Sequence, residues 1–165
     1  MGVKFGLPAI VPSDARLLVL GSLPGDASLA ACRYYAHPTN QFWRLLGAAI
    51  GEELQALTYD DRLARLRERR IALWDVIASA SRNGSLDQAI RDAQHNRIDQ
   101  LLHELSDLRA IAFNGSTAAT VGRKLIGEPP AGVAMLDLPS SSAANTRPFA
   151  EKSEAWAVLE QFAQP

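Results

Sequence analysis

Four short apolar runs punctuate the chain, at residues 17–20, 71–77, 110–113 and 133–138. Runs of this length without polar alternation read as strands buried on both faces. Between them lie helical patterns with recognisable starts. Asn40 precedes FWRLLGAAI, Thr58 precedes YDDRLARLRERR with acids in the first turn, Ser85 precedes LDQAIRD, and Asn96 precedes RIDQLLHELSDL. After the third run Asn114-Gly115-Ser116 opens TAATVGRKLI, and after the fourth a serine-rich loop leads into FAEKSEAWAVLEQF. Strand followed by helix, repeated, predicts a parallel sheet covered on both faces. No internal repeat, low-complexity tract or linker interrupts the pattern, and GEPPAG at 127–132 reads as a tight connection inside one domain. A length of 165 residues suits a single domain spanning 1–165.

Composition narrows the class. The chain is 47% hydrophobic and 21% charged, with a mean hydropathy of -0.06, which excludes a disordered chain. No run approaches the roughly 18 apolar residues of a spanning helix, and the first ten residues carry no long apolar stretch, so a cytoplasmic location is expected. One cysteine, Cys32, and three scattered histidines give no metal pattern, so no cofactor or metal is expected. A net charge of -1 limits general attraction to phosphate, leaving any nucleic-acid contact weak or local. Of the cations only Lys4, Lys124 and Lys152 are lysines, and the arginines concentrated at 62–70 read as a charged helix face.

In open α/β sheets ligands bind beyond the carboxyl ends of the strands, and three of the four ends are chemically unusual. The first runs into GSLPGDAS and then YYAHPTNQFW, the second carries Trp74-Asp75, and the fourth ends in LPSSSAANTR. The glycines and proline of residues 21–25 allow close approach of a rigid backbone to a ligand, although neither a P-loop nor GxGxxG is present. A plain strand-to-helix turn would look the same. Tyr34 and Tyr35 suit either a satellite core or a stacking platform for a flat aromatic ligand. Asn40 serves equally as a helix cap, a role compatible with catalysis. Asp75, among apolar neighbours, must be paired, hydrogen-bonded or functional. Ser140, Ser141 and Ser142, followed by Asn145 and Arg147, form either a capped turn or a set of donors for phosphate oxygens.

Taken in order, GSLPGDAS at 21–28, YYAHPTNQFW at 34–43, ALWDVIASASRNGSLDQAI at 72–90, FNGSTAA at 113–119 and LPSSSAANTR at 138–147 resemble the uracil-DNA glycosylase superfamily. Within it they resemble most closely the hypoxanthine-DNA glycosylase family. The resemblance covers nearly the whole chain. It implies a three-layer α/β/α sandwich around a four-stranded parallel sheet, and an enzyme that flips a damaged base from DNA and hydrolyses its N-glycosidic bond. The chain departs from mismatch-specific uracil glycosylases, which place a catalytic Asn where Leu23 stands, and from uracil-specific enzymes, which place a His where Ser140 stands. In the hypoxanthine family the Asn before the Phe-Trp pair is the important polar residue, and here that residue is Asn40.

The implied reaction is base excision from deoxyinosine, without metal or cofactor, by a monomer acting on DNA. Asn40 would orient the attacking water. Tyr35 would stack on the flipped base and Asp75 would read its edge or orient the pocket, with Ser22, Leu23, Pro24 and Gly25 lining the base site through their backbone. Ser140, Ser141, Ser142, Asn145 and Arg147 would grip phosphates, with Asn114 and Ser116 at a helix start as a further anion site. The loop after Pro139 offers only small residues as a wedge, so the lesion's own weak pairing would have to open the duplex. A uracil or mismatch glycosylase, and a non-catalytic nucleotide-binding α/β module, remain as alternatives.

Overall fold

The structure is a computed structural model and describes residues 2–165. Four parallel strands form the central sheet: β2 (Leu17–Gly21), β3 (Ile71–Asp75), β6 (Ala110–Asn114) and β7 (Ala134–Leu138), in the order β3-β2-β6-β7. The strands alternate strictly between two cores. Leu17 and Val19 of β2 face one apolar cluster while Leu18 and Leu20 face the other, as the two-residue period of a strand requires. The first cluster is closed by α2 (Phe42–Ile50), α3 (Tyr59–Glu68) and α6 (Phe149–Trp156), through Phe42, Leu45, Leu46, Leu66 and Trp156. The second is closed by α4 (Ile98–Glu104) and α5 (Ser116–Ile126), through Ile98, Leu101 and Ala118. This is the expected three-layer α/β/α arrangement.

Local signals explain most of these elements. Thr58 caps α3, its hydroxyl accepting the Asp61 N–H at 3.2 Å, with Asp60 and Asp61 in the first turn. The arginines after it work as braces. Arg62 donates to the Leu54 and Gln55 carbonyls and Arg69 reaches Glu52, so part of the charged helix face at residues 62–70 is half-buried and bonded to protein. A short helix, α1 (Asp26–Ala31), follows β2 and leads into the tyrosine loop.

The structure corrects the expected pattern in the second quarter of the chain. The run at 71–77 is not one strand: β3 ends at Asp75, and β4 (Ile77–Ser81) turns away into a separate antiparallel sheet with β1 (Val3–Phe5) and β5 (Arg91–His95), in the order β1-β4-β5. Ser85 does not start a helix. LDQAIRD supplies a short 3-10 turn, Asp87–Ala89, and the beginning of β5, so this segment is the tip of a β4–β5 hairpin. Asn83-Gly84, the strongest short-range hairpin signal, stands at its start, with Gly84 at φ 73°. Asn96 does not cap α4 either. Its side chain donates to the Asp75 carbonyl at 2.7 Å, pinning the point where the two sheets part.

Candidate active site

The chain runs from β2 to β3 on one side and then crosses back to β6 on the other side of β2, so the strand order reverses between β2 and β6. A crevice forms at such a point because the two connections leave in opposite directions. Here a cavity of about 1130 Å³ opens at the carboxyl ends, and all fourteen expected site residues line it: Ser22, Leu23, Pro24, Gly25, Tyr35, Asn40, Asp75, Asn114, Ser116, Ser140, Ser141, Ser142, Asn145 and Arg147. Their environments sort them by what each can do.

Asp75 terminates β3 and is only 4% exposed, with Oδ2 hydrogen-bonded to nothing among the described residues. Burial, then the nearby Asp87, push its carboxyl up to about 7 against the opposing pull of Arg82. Opposite it stands Gly21. A methyl group there would lie 2.5 Å from the Asp75 Oδ1 and 2.7 Å from the Tyr35 hydroxyl, so glycine is what lets these two groups converge.

Tyr35 has φ 53°, in the left-handed region, and its ring lies flat on Phe42 at 3.9 Å with 10° between planes. Phe42 therefore takes one ring face, and only the remaining surface of Tyr35 borders the cavity. Its neighbour Tyr34 resolves to core: it is 3% exposed and donates its hydroxyl to the Pro8 carbonyl at 2.8 Å. Burial raises both phenols above their ordinary range, with Asp75 adding to the effect.

Asn40 precedes α2, whose cap residue is Gln41. The Asn40 Oδ1 accepts the Phe42 N–H at 3.0 Å, which fixes the amide orientation, because only an oxygen can accept from that donor. Its Nδ2 has no acceptor among the described residues. His37 also borders the cavity, and its Nδ1 accepts from the Thr39 N–H at 3.1 Å, so neutral His37 carries its proton on Nε2 and presents a donor there, not a base.

The Gly21–Gly25 turn is held from behind. Arg82, buried just after β4 where the hairpin loop begins, donates to the Leu23 and Pro24 carbonyls, and Ile77 N–H donates to the Ser22 carbonyl at 3.0 Å. A trans peptide points its N–H opposite its C=O, so the Leu23 and Gly25 N–H groups point away from these partners. Neither has an acceptor among the described residues. The Leu23 side chain itself packs in the second core, so what Leu23 offers a ligand is backbone.

The phosphate-gripping set divides. Asn114 and Ser141 are buried and bond reciprocally, Asn114 Nδ2 to Ser141 Oγ and Ser141 N–H to Asn114 Oδ1, both at 2.9 Å. These bonds fasten the serine loop to β6 and leave the Ser141 hydroxyl hydrogen and one Asn114 Nδ2 hydrogen to donate. Ser140, Ser142 and Asn145 accept only from backbone N–H groups two residues on, which leaves the two hydroxyl hydrogens free to donate. Arg147 and Ser116 are exposed at the rim. Lys152, buried in α6, donates to Gln41 Oε1 and the Ser142 carbonyl and so ties the loop to α2. Sequence reasoning missed Arg82, Asp87 and Lys152, and gave Gly21 no role apart from its turn. Each gains its role only from long-range contact, which neighbouring residues in sequence do not show.

Among the described residues no group of His, Cys, Asp and Glu could hold a metal ion, and no helix is long and apolar enough to cross a membrane. Comparison with known proteins agrees with the geometry. The chain is 42% identical over 157 residues to a hypoxanthine DNA glycosylase of Methanosarcina acetivorans, covering 95% of this chain and 98% of that one. It is 38% identical over 154 residues to a hypoxanthine DNA glycosylase of Methanosarcina barkeri, covering 93% and 96%. The solution NMR structure of a Methanosarcina acetivorans protein described as a uracil DNA glycosylase superposes with a TM-score of 0.85 at 40% identity, over 97% of this chain and 98% of that one. The sequence signature of the uracil DNA glycosylase superfamily spans residues 8–160, and the chain belongs to that superfamily.

Proposed function

We propose that this chain is a monofunctional DNA glycosylase, a single catalytic domain acting as a monomer, that hydrolyses the N-glycosidic bond of a flipped deoxyinosine and leaves an abasic site. Two relatives that match nearly end to end are named for hypoxanthine. The observation that carries the reading is Asp75, a buried carboxyl at the closed end of a strand-end crevice, raised to about 7 and facing Tyr35 across Gly21.

A neutral carboxylic acid presents one donor and one acceptor side by side, which match the O6 acceptor and N1–H donor of hypoxanthine. An ionised carboxylate would accept N1–H but set negative charge against O6. Departure of the base builds negative charge on that ring and positive charge on the sugar, so a neutral acid at O6 stabilises the transition state where a carboxylate would oppose it. The Leu23 and Gly25 N–H groups add uncommitted donors from residues that line the same cavity. Asn40, its amide fixed by Phe42 N–H, orients the water; an amide cannot take the proton, so base departure runs ahead of attack and the water's proton goes to the departed base anion, leaving neutral hypoxanthine. Tyr35, backed by Phe42, stacks on the flipped base. Ser140, Ser142, Asn145, Arg147 and Ser116 hold the strand.

Uracil carries the same lactam edge, and the named function of the superposing solution structure favours it as a second substrate. Oligonucleotides containing deoxyinosine, deoxyuridine or only normal bases, treated with alkali after incubation, separate the readings. The proposal expects breaks at inosine. Breaks at uracil alone would shift the substrate, and intact strands throughout would leave a nucleotide-binding module.

A further inference from the structure

The serine loop carries no bulky side chain, yet a glycosylase must fill the gap that a flipped base leaves in the stack. We propose that Leu86, at the tip of the β4–β5 hairpin, is the residue that enters the duplex. This rests on the glycosylase reading of the cavity. Three large apolar side chains are exposed among the described residues, Val3, Phe5 and Leu86, and of these only Leu86, at 48% exposure, borders the cavity.

What sets Leu86 apart from an ordinary surface leucine is that the residues on both sides of it are clamped. Ser85 Oγ accepts the Asp26 N–H at 3.0 Å, and Asp87 Oδ1 accepts the Ser22 hydroxyl at 2.6 Å. The Gly84 carbonyl takes both Lys4 Nζ at 2.7 Å and Arg82 Nε at 3.0 Å. The tip is thus fastened to the same Gly21–Asp26 segment that lines the base site. Leu86 is the residue left outside the clamp, held at a fixed distance from the cavity mouth. An apolar group kept in water costs free energy that burial between bases returns, and ordering the loop in advance removes most of the entropy such insertion would otherwise cost. Beside it, the Arg91 guanidinium folds over the tip onto the Gln88 and Ile90 carbonyls and pairs with no carboxylate among the described residues, so a cation stands next to the apolar point, as a DNA backbone on that side requires.

The sequence-based expectation that this protein has only a small wedge therefore follows from looking at one loop. The hairpin supplies the missing bulk from the opposite rim.

The test compares single-turnover excision by wild type and Leu86→Ala on three substrates: an inosine–cytosine duplex, an inosine duplex with an abasic gap opposite, and single-stranded inosine DNA. Wedge function predicts a loss of about tenfold or more on the inosine–cytosine duplex, with single-strand excision within about twofold of wild type. Leu86→Phe, which restores bulk, should recover the duplex rate. A 2-aminopurine placed beside the lesion should brighten with wild type and much less with Leu86→Ala. Equal loss on all three substrates would make Leu86 part of the base pocket, and unchanged duplex excision would remove it from flipping; either result overturns the inference while the functional reading stands. Wild-type protein that leaves inosine intact in every substrate would overturn both.

Discussion

Replacing Asp75 with Asn removes the one titration on which the proposed base recognition depends while keeping the side-chain shape. In the folded protein the carboxyl sits at about 7, against 3.8 when unconstrained. At 1.36 kcal/mol per pH unit, that difference corresponds to about 4 kcal/mol of instability once the group is ionised in both states. The sign follows from proton counts. Between pH 4 and 7 the unfolded chain has released the Asp75 proton and the folded chain has kept it, so stability from this group falls as pH rises, and the loss is complete above 7. The amide introduced by Asp75→Asn does not titrate, and whatever hydrogen bond it gains or lacks is independent of pH. The stability difference between Asp75→Asn and wild type should therefore move in favour of the variant by about 2 to 3 kcal/mol between pH 5 and 8. Urea unfolding of both proteins at half-unit steps over that range reads the difference directly. Wild-type excision should decline through the same interval. A stability difference constant to within about 1 kcal/mol from pH 5 to 8 would show that Asp75 is ionised throughout, and the neutral-acid account of base reading would fail with it.

Asn40→Ala should abolish most excision while leaving DNA binding nearly intact, since water positioning acts in the transition state; near-normal single-turnover rates would reduce Asn40 to its bond with Phe42 N–H. Gly21→Ala should cost about 1 to 3 kcal/mol in denaturant unfolding, because the methyl forces Asp75 and Tyr35 apart, and should lower excision more than any change of exposed Ser116. Tyr35→Ala should weaken capture of the flipped base by about 1 to 3 kcal/mol, measured on an abasic-opposed lesion, and should also lower the melting temperature, because Phe42 loses its stacking partner. Borohydride should trap no covalent adduct through a lysine, since none of Lys4, Lys124 and Lys152 borders the cavity.

The main sheet was legible because its strands are continuous apolar runs, and a strand buried on both faces has no other pattern to show. The helices 42–50 and 59–68 were legible from a polar start followed by a run at helical spacing. The antiparallel sheet was not. Val3–Phe5 is three residues long, Arg91–His95 is almost wholly polar, and both are strands because of what they pair with rather than what they contain. In β4–β5 a helix-like LDQAIRD outweighed the Asn83-Gly84 turn signal, and the hairpin that carries Arg82, Asp87 and Leu86 went unseen. The site residues emerged from the ends of strands together with the family resemblance. What those signals could not separate was side chain from backbone and clamp from contact. Nothing in the sequence tells that Asn114 and Ser141 bond reciprocally and fasten the serine loop, or that Leu23 offers only its N–H.

The central claim is chemical, that hypoxanthine leaves DNA as the free base. Incubating the protein with an inosine-containing duplex and measuring the released base by mass spectrometry, beside a count of abasic sites in the same strand, tests it most directly. The account predicts free hypoxanthine in amounts equal to the abasic sites formed, and far less of both with Asn40→Ala. Release of uracil but not hypoxanthine from matched substrates, or abasic sites without any free base, would contradict it.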